Sequence, residues 1–95
     1  DTVDVPLDKV EEEARELREA IAAGDHMEEE LGDLLFAAVN VARFLKTDPE
    51  QALVGATAKF IRRFAAMERL AGDKLDVMTL AEMDKLWDRV KEAGQ

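Results

Sequence analysis

Residues 28–45 read EEELGDLLFAAVNVARFL, and the architecture is legible from them. At about 100° per residue, Leu34, Leu35, Phe36, Ala37, Ala38, Val39, Val41, Ala42, Phe44 and Leu45 cover nearly every direction of a helix. A helix apolar all round belongs inside a protein, so burial on all sides is expected. Glu30, Asp33 and Asn40 nevertheless share one side of it, within about 80° on the helical wheel. Unpaired carboxylates on a buried helix would each cost several kcal/mol. Something must neutralise them.

The flanking sequence supplies partners for this helix. Upstream, a first helix is predicted after Pro6, from about Leu7 to Ala23. Val10, Ala14, Leu17 and Ile21 form its apolar stripe, and Gly24 is its C-cap. Asp25, with Glu28 three residues on, resembles a capping box that opens the second helix, which ends near Lys46. Downstream, Asp48-Pro49 combines an N-cap with proline at the first helical position. The third helix turns Ala52, Leu53, Ala56, Phe60, Phe64 and Met67 toward the core and stops before Gly72. A loop, 72–78, leads to Thr79 and Glu82, a second capping-box pair. These start a last helix that runs to about Ala93. There is no internal repeat, low-complexity tract or linker. The expectation is an all-α, four-helix-bundle-like single domain over residues 1–95.

Bulk composition narrows the function classes. Ninety-five residues make one modest core, which often gains from a partner subunit. With 22 acidic and 13 basic residues the formal charge is −9, which argues against a binder of nucleic-acid polymers. Cysteine is absent, so thiolate metal sites are excluded. No apolar run reaches the roughly 18 residues of a membrane span. The segment 1–7 lacks the basic and apolar regions of a signal peptide. A soluble, cytoplasmic protein is expected.

On the first helix Glu13 borders the apolar stripe, Glu16 lies beside it, and Glu12 points more to solvent. Glu13 and Glu16 are i, i+3 neighbours, and Glu30 and Asp33 repeat that spacing on the second helix. The short Gly24-Asp25 connection favours antiparallel packing, which would bring four carboxylates to one locus. Such a cluster repels itself unless cations sit within it. Oxygen-only ligands suit Mg²⁺, or Mn²⁺, better than zinc, and carboxylate-held Mg²⁺ points to phosphoryl chemistry. Glu-rich helices are more often solvated faces; the apolar character of the second helix weighs against that here. Glu11, Glu12, Glu28 and Glu29 are placed facing solvent or behind the ligands. On the third helix Lys59, Arg62 and Arg63 form one basic cluster suited to phosphate oxygens. Trp87 and Lys91 share a face of the last helix, where a lone tryptophan is ordinarily core. Asn40, on the carboxylate face, is a candidate for bonding substrate or metal-held water. His26 is assigned no role.

In order, Glu13-Ala-Arg-Glu16, thirteen intervening residues and Glu30-Leu-Gly-Asp33 resemble the ExxE…ExxD signature of MazG-type, all-α nucleoside triphosphate pyrophosphohydrolases. The segments DKVEEEAREL, EEELGDLLFAAVNVARFL, DPEQAL, KFIRRF and LAEMDKLW resemble that family's, in its order. The resemblance implies Mg²⁺-dependent cleavage of NTPs to NMP and pyrophosphate, with Glu13, Glu16, Glu30 and Asp33 holding the metal. It also implies Lys59 and Arg63 on the triphosphate with Arg62 beside them, a base-stacking Trp87, a substrate-contacting Lys91, and a homodimer that completes the fold. Family members usually carry a further helix upstream, so the chain is read as a fragment or the second half of a tandem protein. Thr57 and Ile61 depart from the usual Asn and Glu. The rival reading is a non-catalytic metal- or nucleotide-binding helical dimerisation module. A di-iron bundle is disfavoured because its Glu-x-x-His motifs are missing.

Overall fold

A computed structural model describes residues 2–94. Asp1 and Gln95, the ends of the expected 1–95 domain, lie outside the described residues, as does the first position of the segment read as lacking a signal peptide. The described residues contain four α-helices and no strand: α1 (Asp4–Ala23), α2 (Met27–Phe44), α3 (Pro49–Ala71) and α4 (Leu80–Glu92), with a 3-10 helix, Gly72–Val77, before α4. The all-α class read from the sequence is the class observed. Among the described residues no helix is long and apolar enough to cross a membrane. The chain divides into two compact units, Asp1–Glu50 and Gln51–Gln95.

In the first unit α1 and α2 pack antiparallel across a three-residue connection. Gly24 ends α1 because its φ of 71° is open to glycine at no steric cost. Its N–H reaches the Ile21 carbonyl at 3.1 Å, and that of Asp25 reaches Ala20 at 3.1 Å, a Schellman-type closure. The expected Asp25–Glu28 capping box does not form. Asp25 Oδ1 instead accepts from the His26 N–H at 2.9 Å, and His26 precedes α2 in a left-handed conformation, φ 58°. So tight a reversal between antiparallel helices spends the cap side chain on the turn itself. The seam between the helices comprises Pro6, Val10, Glu13, Leu17 and Ala20 from α1 with Glu30, Leu34, Ala37 and Val41 from α2, all half-buried or buried. Glu13 therefore sits in the middle of the buried stripe, not at its border.

The expectation that α2 is buried on all sides is not met. Leu31, Leu35, Phe36 and Val39 are exposed, Phe36 by 66%. One neighbouring helix can cover only one face, and α1 takes the face that carries Glu30.

Helix α3 starts where Asp48-Pro49 predicts, at the end of the first unit, with Asp48 Oδ1 accepting from the Glu50 N–H at 2.9 Å, and the second unit holds the rest of it. The 72–78 stretch expected as loop is largely 3-10 helix. At α4 the capping box is complete: Thr79 Oγ1 accepts from Glu82 N–H at 3.1 Å, and Glu82 Oε1 accepts from Thr79 N–H at 2.8 Å. The bond from the Thr79 N–H, with the Thr79 side chain second, holds the Glu82 carboxyl below its ordinary value. The core joins Ala66 and Met67 of α3 to Leu86 and Val90 of α4, with Leu75, Met78, Met83 and Trp87 packed around them. Of the α3 residues expected inside, Met67 is buried, whereas Leu53, Phe60 and Phe64 are exposed.

Candidate metal and substrate site

The α1–α2 seam brings Glu13, Glu16 and Glu30 together, with one ligand oxygen from each lying within 4.8 Å of the others. Glu13 is only 7% exposed, and neither its Oε2 nor that of Glu30 has a hydrogen-bond donor. Buried acceptors without donors are costly, and a cation among these carboxylates would offset that cost. The donor set is all oxygen, which fits a hard divalent ion.

Electrostatics agree with the geometry. The Glu13 carboxyl, within proton-sharing reach, pushes Glu16 above its ordinary value, and Glu13's charge and desolvation add to the effect. Desolvation raises Glu30 first, followed by repulsion from Asp33, Glu13 and Glu29. Glu16 and Glu30 therefore both resist ionisation, Glu16 chiefly through Glu13 and Glu30 chiefly through desolvation.

Asp33 meets Glu30 in a second triad, Glu29, Glu30 and Asp33, again with oxygens within 4.8 Å. Glu30 belongs to both sets. The four carboxylates read from the sequence thus form two overlapping groups, and Glu29, set aside as solvent-facing or supporting, joins one of them. Its adjacency to Glu30 was the available signal, but a helical wheel places it toward solvent. Lys9 was missed altogether. Its ammonium lies 3.3 Å from Glu13 and 3.0 Å from Glu12, contacts that the i, i+4 and i, i+3 spacings offered. Both partners hold Lys9 above its ordinary value.

Two clefts flank the seam. One of about 350 Å³ is bordered by Glu16, Ala20, His26 and Glu30. The other, of about 790 Å³, runs between the N-terminal half of α1 and the C-terminal half of α2 and is lined by Lys9, Glu12, Ala37, Asn40 and Phe44 among others. Asn40 therefore lines a cavity of ligand size, one whose lining includes none of Glu13, Glu16, Glu30 and Asp33.

In the second unit Lys59 and Arg62 are exposed and Arg63 is half-buried. The Arg63 guanidinium lies over the Trp87 ring, 5.7 Å from its centroid. Phe60 packs against the same ring at 5.6 Å, and Phe64 stacks on Phe60 at 6.0 Å. Lys91 is exposed one turn beyond Trp87.

The model of the MazG nucleotide pyrophosphohydrolase domain matches residues 2–67, which include both triads and the basic cluster. The chain belongs to the MazG family. This MazG chain is 46% identical, over 88% of its length, to the nucleoside triphosphate pyrophosphohydrolase/pyrophosphatase MazG of Thermotoga maritima. It is 41% identical over 94% of its length to a nucleoside triphosphate pyrophosphohydrolase of Escherichia coli. With an uncharacterized Bacillus subtilis protein, YabN, it shares 50% identity over 70% of its length. The chain spans 34%, 35% and 14% of those three proteins respectively. No solved structure gives a significant match. Trp87 and Lys91 lie beyond the stretch matched by the MazG family model.

Proposed function

We propose that this MazG domain, residues 1–95, hydrolyses nucleoside triphosphates between the α- and β-phosphates, giving NMP and pyrophosphate, with Mg²⁺ (or Mn²⁺) held by Glu13, Glu16, Glu30 and Asp33. The observation that carries the reading is the pair of buried, donorless oxygens on Glu13 and Glu30 within a cluster of carboxylates. The relatives named as nucleoside triphosphate pyrophosphohydrolases give the substrate class.

In this reading water attacks the α-phosphorus, the bond to the bridging oxygen breaks, and pyrophosphate leaves. When bound, the cation supplies charge neutralisation on the phosphates and lowers the pKa of the attacking water. The carboxylates fix the position of the attack, and one of them, or Glu29 beside them, takes the water's proton. Lys59, Arg62 and Arg63 balance the triphosphate, the arginines with planar two-pronged donors and the lysine as a point charge. Asn40 bonds substrate from the cleft it lines, and Trp87 and Lys91 complete the substrate-binding set. The exposed apolar face of α2 belongs to the contact with a second copy in a homodimer, and NTP supply places the protein in the cytoplasm.

Product analysis tests the reaction. The protein is incubated with each NTP and dNTP plus Mg²⁺, alongside a Glu30→Gln, Asp33→Asn double variant. NMP and pyrophosphate from the wild type alone are expected. No turnover by either protein would leave a non-catalytic binding module as the account of this chain.

A further inference from the structure

The two oxygens of Glu13, the most buried carboxylate of the seam, have different surroundings. Oε1 lies 3.3 Å from the Lys9 ammonium, whereas Oε2 is buried and has no donor. Lys9 stands one turn before Glu13 on α1, and its ammonium is also 3.0 Å from Glu12 Oε2. Glu12 belongs to neither carboxylate triad, so it holds the lysine from outside the cluster. The ammonium thus bridges an outer carboxylate and the innermost one, and it engages a single oxygen of each.

Divalent cations differ in how they use a carboxylate. Ca²⁺ gathers about six to eight oxygens in a flexible shell and readily takes both oxygens of one carboxylate, whereas Mg²⁺ demands a near-ideal octahedron that the narrow bite of one carboxylate fits poorly. A carboxylate with one oxygen already held by an ammonium offers the cation only the other. Charge alone cannot make this distinction, because the two ions carry the same charge.

We propose that Lys9 is a specificity-determining residue of the metal site: by holding Oε1 of Glu13 it leaves Oε2 as the available oxygen and so favours Mg²⁺, or Mn²⁺, over Ca²⁺. The inference rests on the cation reading above and involves only the first unit. It concerns which ion is held and is tested apart from turnover.

The test uses the metals alone. Free Mn²⁺ is followed by electron paramagnetic resonance as Mg²⁺ or Ca²⁺ displaces it from wild type, Lys9→Met, Lys9→Arg and Arg18→Met, with circular dichroism monitoring the fold. Removing a positive charge tightens both ions, so the ratio of the Ca²⁺ and Mg²⁺ affinities is the quantity read. Because the ammonium is exposed, its pair with Glu13 is weak, and Lys9→Met should move the ratio toward Ca²⁺ by about twofold to fivefold. Lys9→Arg, which keeps a charged donor, should restore most of the wild-type ratio. Arg18→Met removes a cation from the same helix and should leave the ratio unchanged. An unmoved ratio in Lys9→Met, or an equal shift in Arg18→Met, would overturn the proposal while the metal site itself stood. A wild type that binds none of the three ions would overturn the metal site and the proposal together. If the ratio shifts as expected while wild type releases no pyrophosphate from any NTP, the role of Lys9 stands and the catalytic reading falls.

Discussion

Replacing Glu13 by Met removes a carboxylate from the middle of the α1–α2 seam while keeping an unbranched side chain of similar length and helix propensity. Without a cation, Glu13 is 7% exposed, and its Oε2 is buried with no donor. Leaving such an acceptor unsatisfied costs about 1–3 kcal/mol. Losing the Lys9 contact subtracts little, because that ammonium is exposed and also bonds Glu12 at 3.0 Å. In chelator, therefore, Glu13→Met should be more stable than wild type by about 1–2 kcal/mol, which for a domain of this size raises Tm by roughly 5–15 °C. Magnesium should reverse the order. At a concentration one hundred times its Kd, a ligand that binds only the folded state adds about 2.7 kcal/mol, and the variant lacks a ligand needed to collect it. The assay is thermal or urea unfolding of both proteins in EDTA and across a Mg²⁺ titration, with crossing stability curves as the expected signature. A variant less stable than wild type in EDTA, or Mg²⁺ stabilising both equally, would refute the reasoning that Glu13 is held in the seam for a cation.

Two further outcomes can be checked with simple variants. Phe36 is 66% exposed on the face of α2 turned away from α1; Phe36→Glu should convert a dimer to monomers in sedimentation velocity, and a monomeric wild type would remove the proposed role for that face. Glu82 has a carboxyl lowered in the folded state, so its contribution is fully present above its ordinary value of 4.5 and drains away as the pH falls from there through the depressed folded value. Glu82→Gln should flatten that acid limb of the stability profile, and Thr79→Ala, which removes the reciprocal bond, should cost about 1 kcal/mol at neutral pH; an unchanged acid limb in Glu82→Gln would contradict the cap as the source.

How much of this was legible in the chain depends on the range of the interactions. Asp48-Pro49 and Thr79 with Glu82 act within three residues, and both helix starts form where the sequence places them. The ExxE and ExxD spacings set pairs of carboxylates one helical turn apart, which any α-helix must do. Asp25 with Glu28 looked equally local, yet the reversal into α2 required Asp25 to bond His26 instead. The same limit applied to α2, whose composition spoke for burial but could not say how many neighbours it would have. The sequence by itself established the helical class and most helix ends, and it offered the carboxylates that the proposed metal site uses. Which carboxylates meet across the two helices was settled by the rotation of α1 against α2, which turns Glu13 inward and brings Glu13 and Glu16 to Glu30 rather than to Asp33. The physical reason is that a helix's rotation about its axis is fixed by side-chain packing along the whole seam, a sum over residues distant in sequence that no local pattern records.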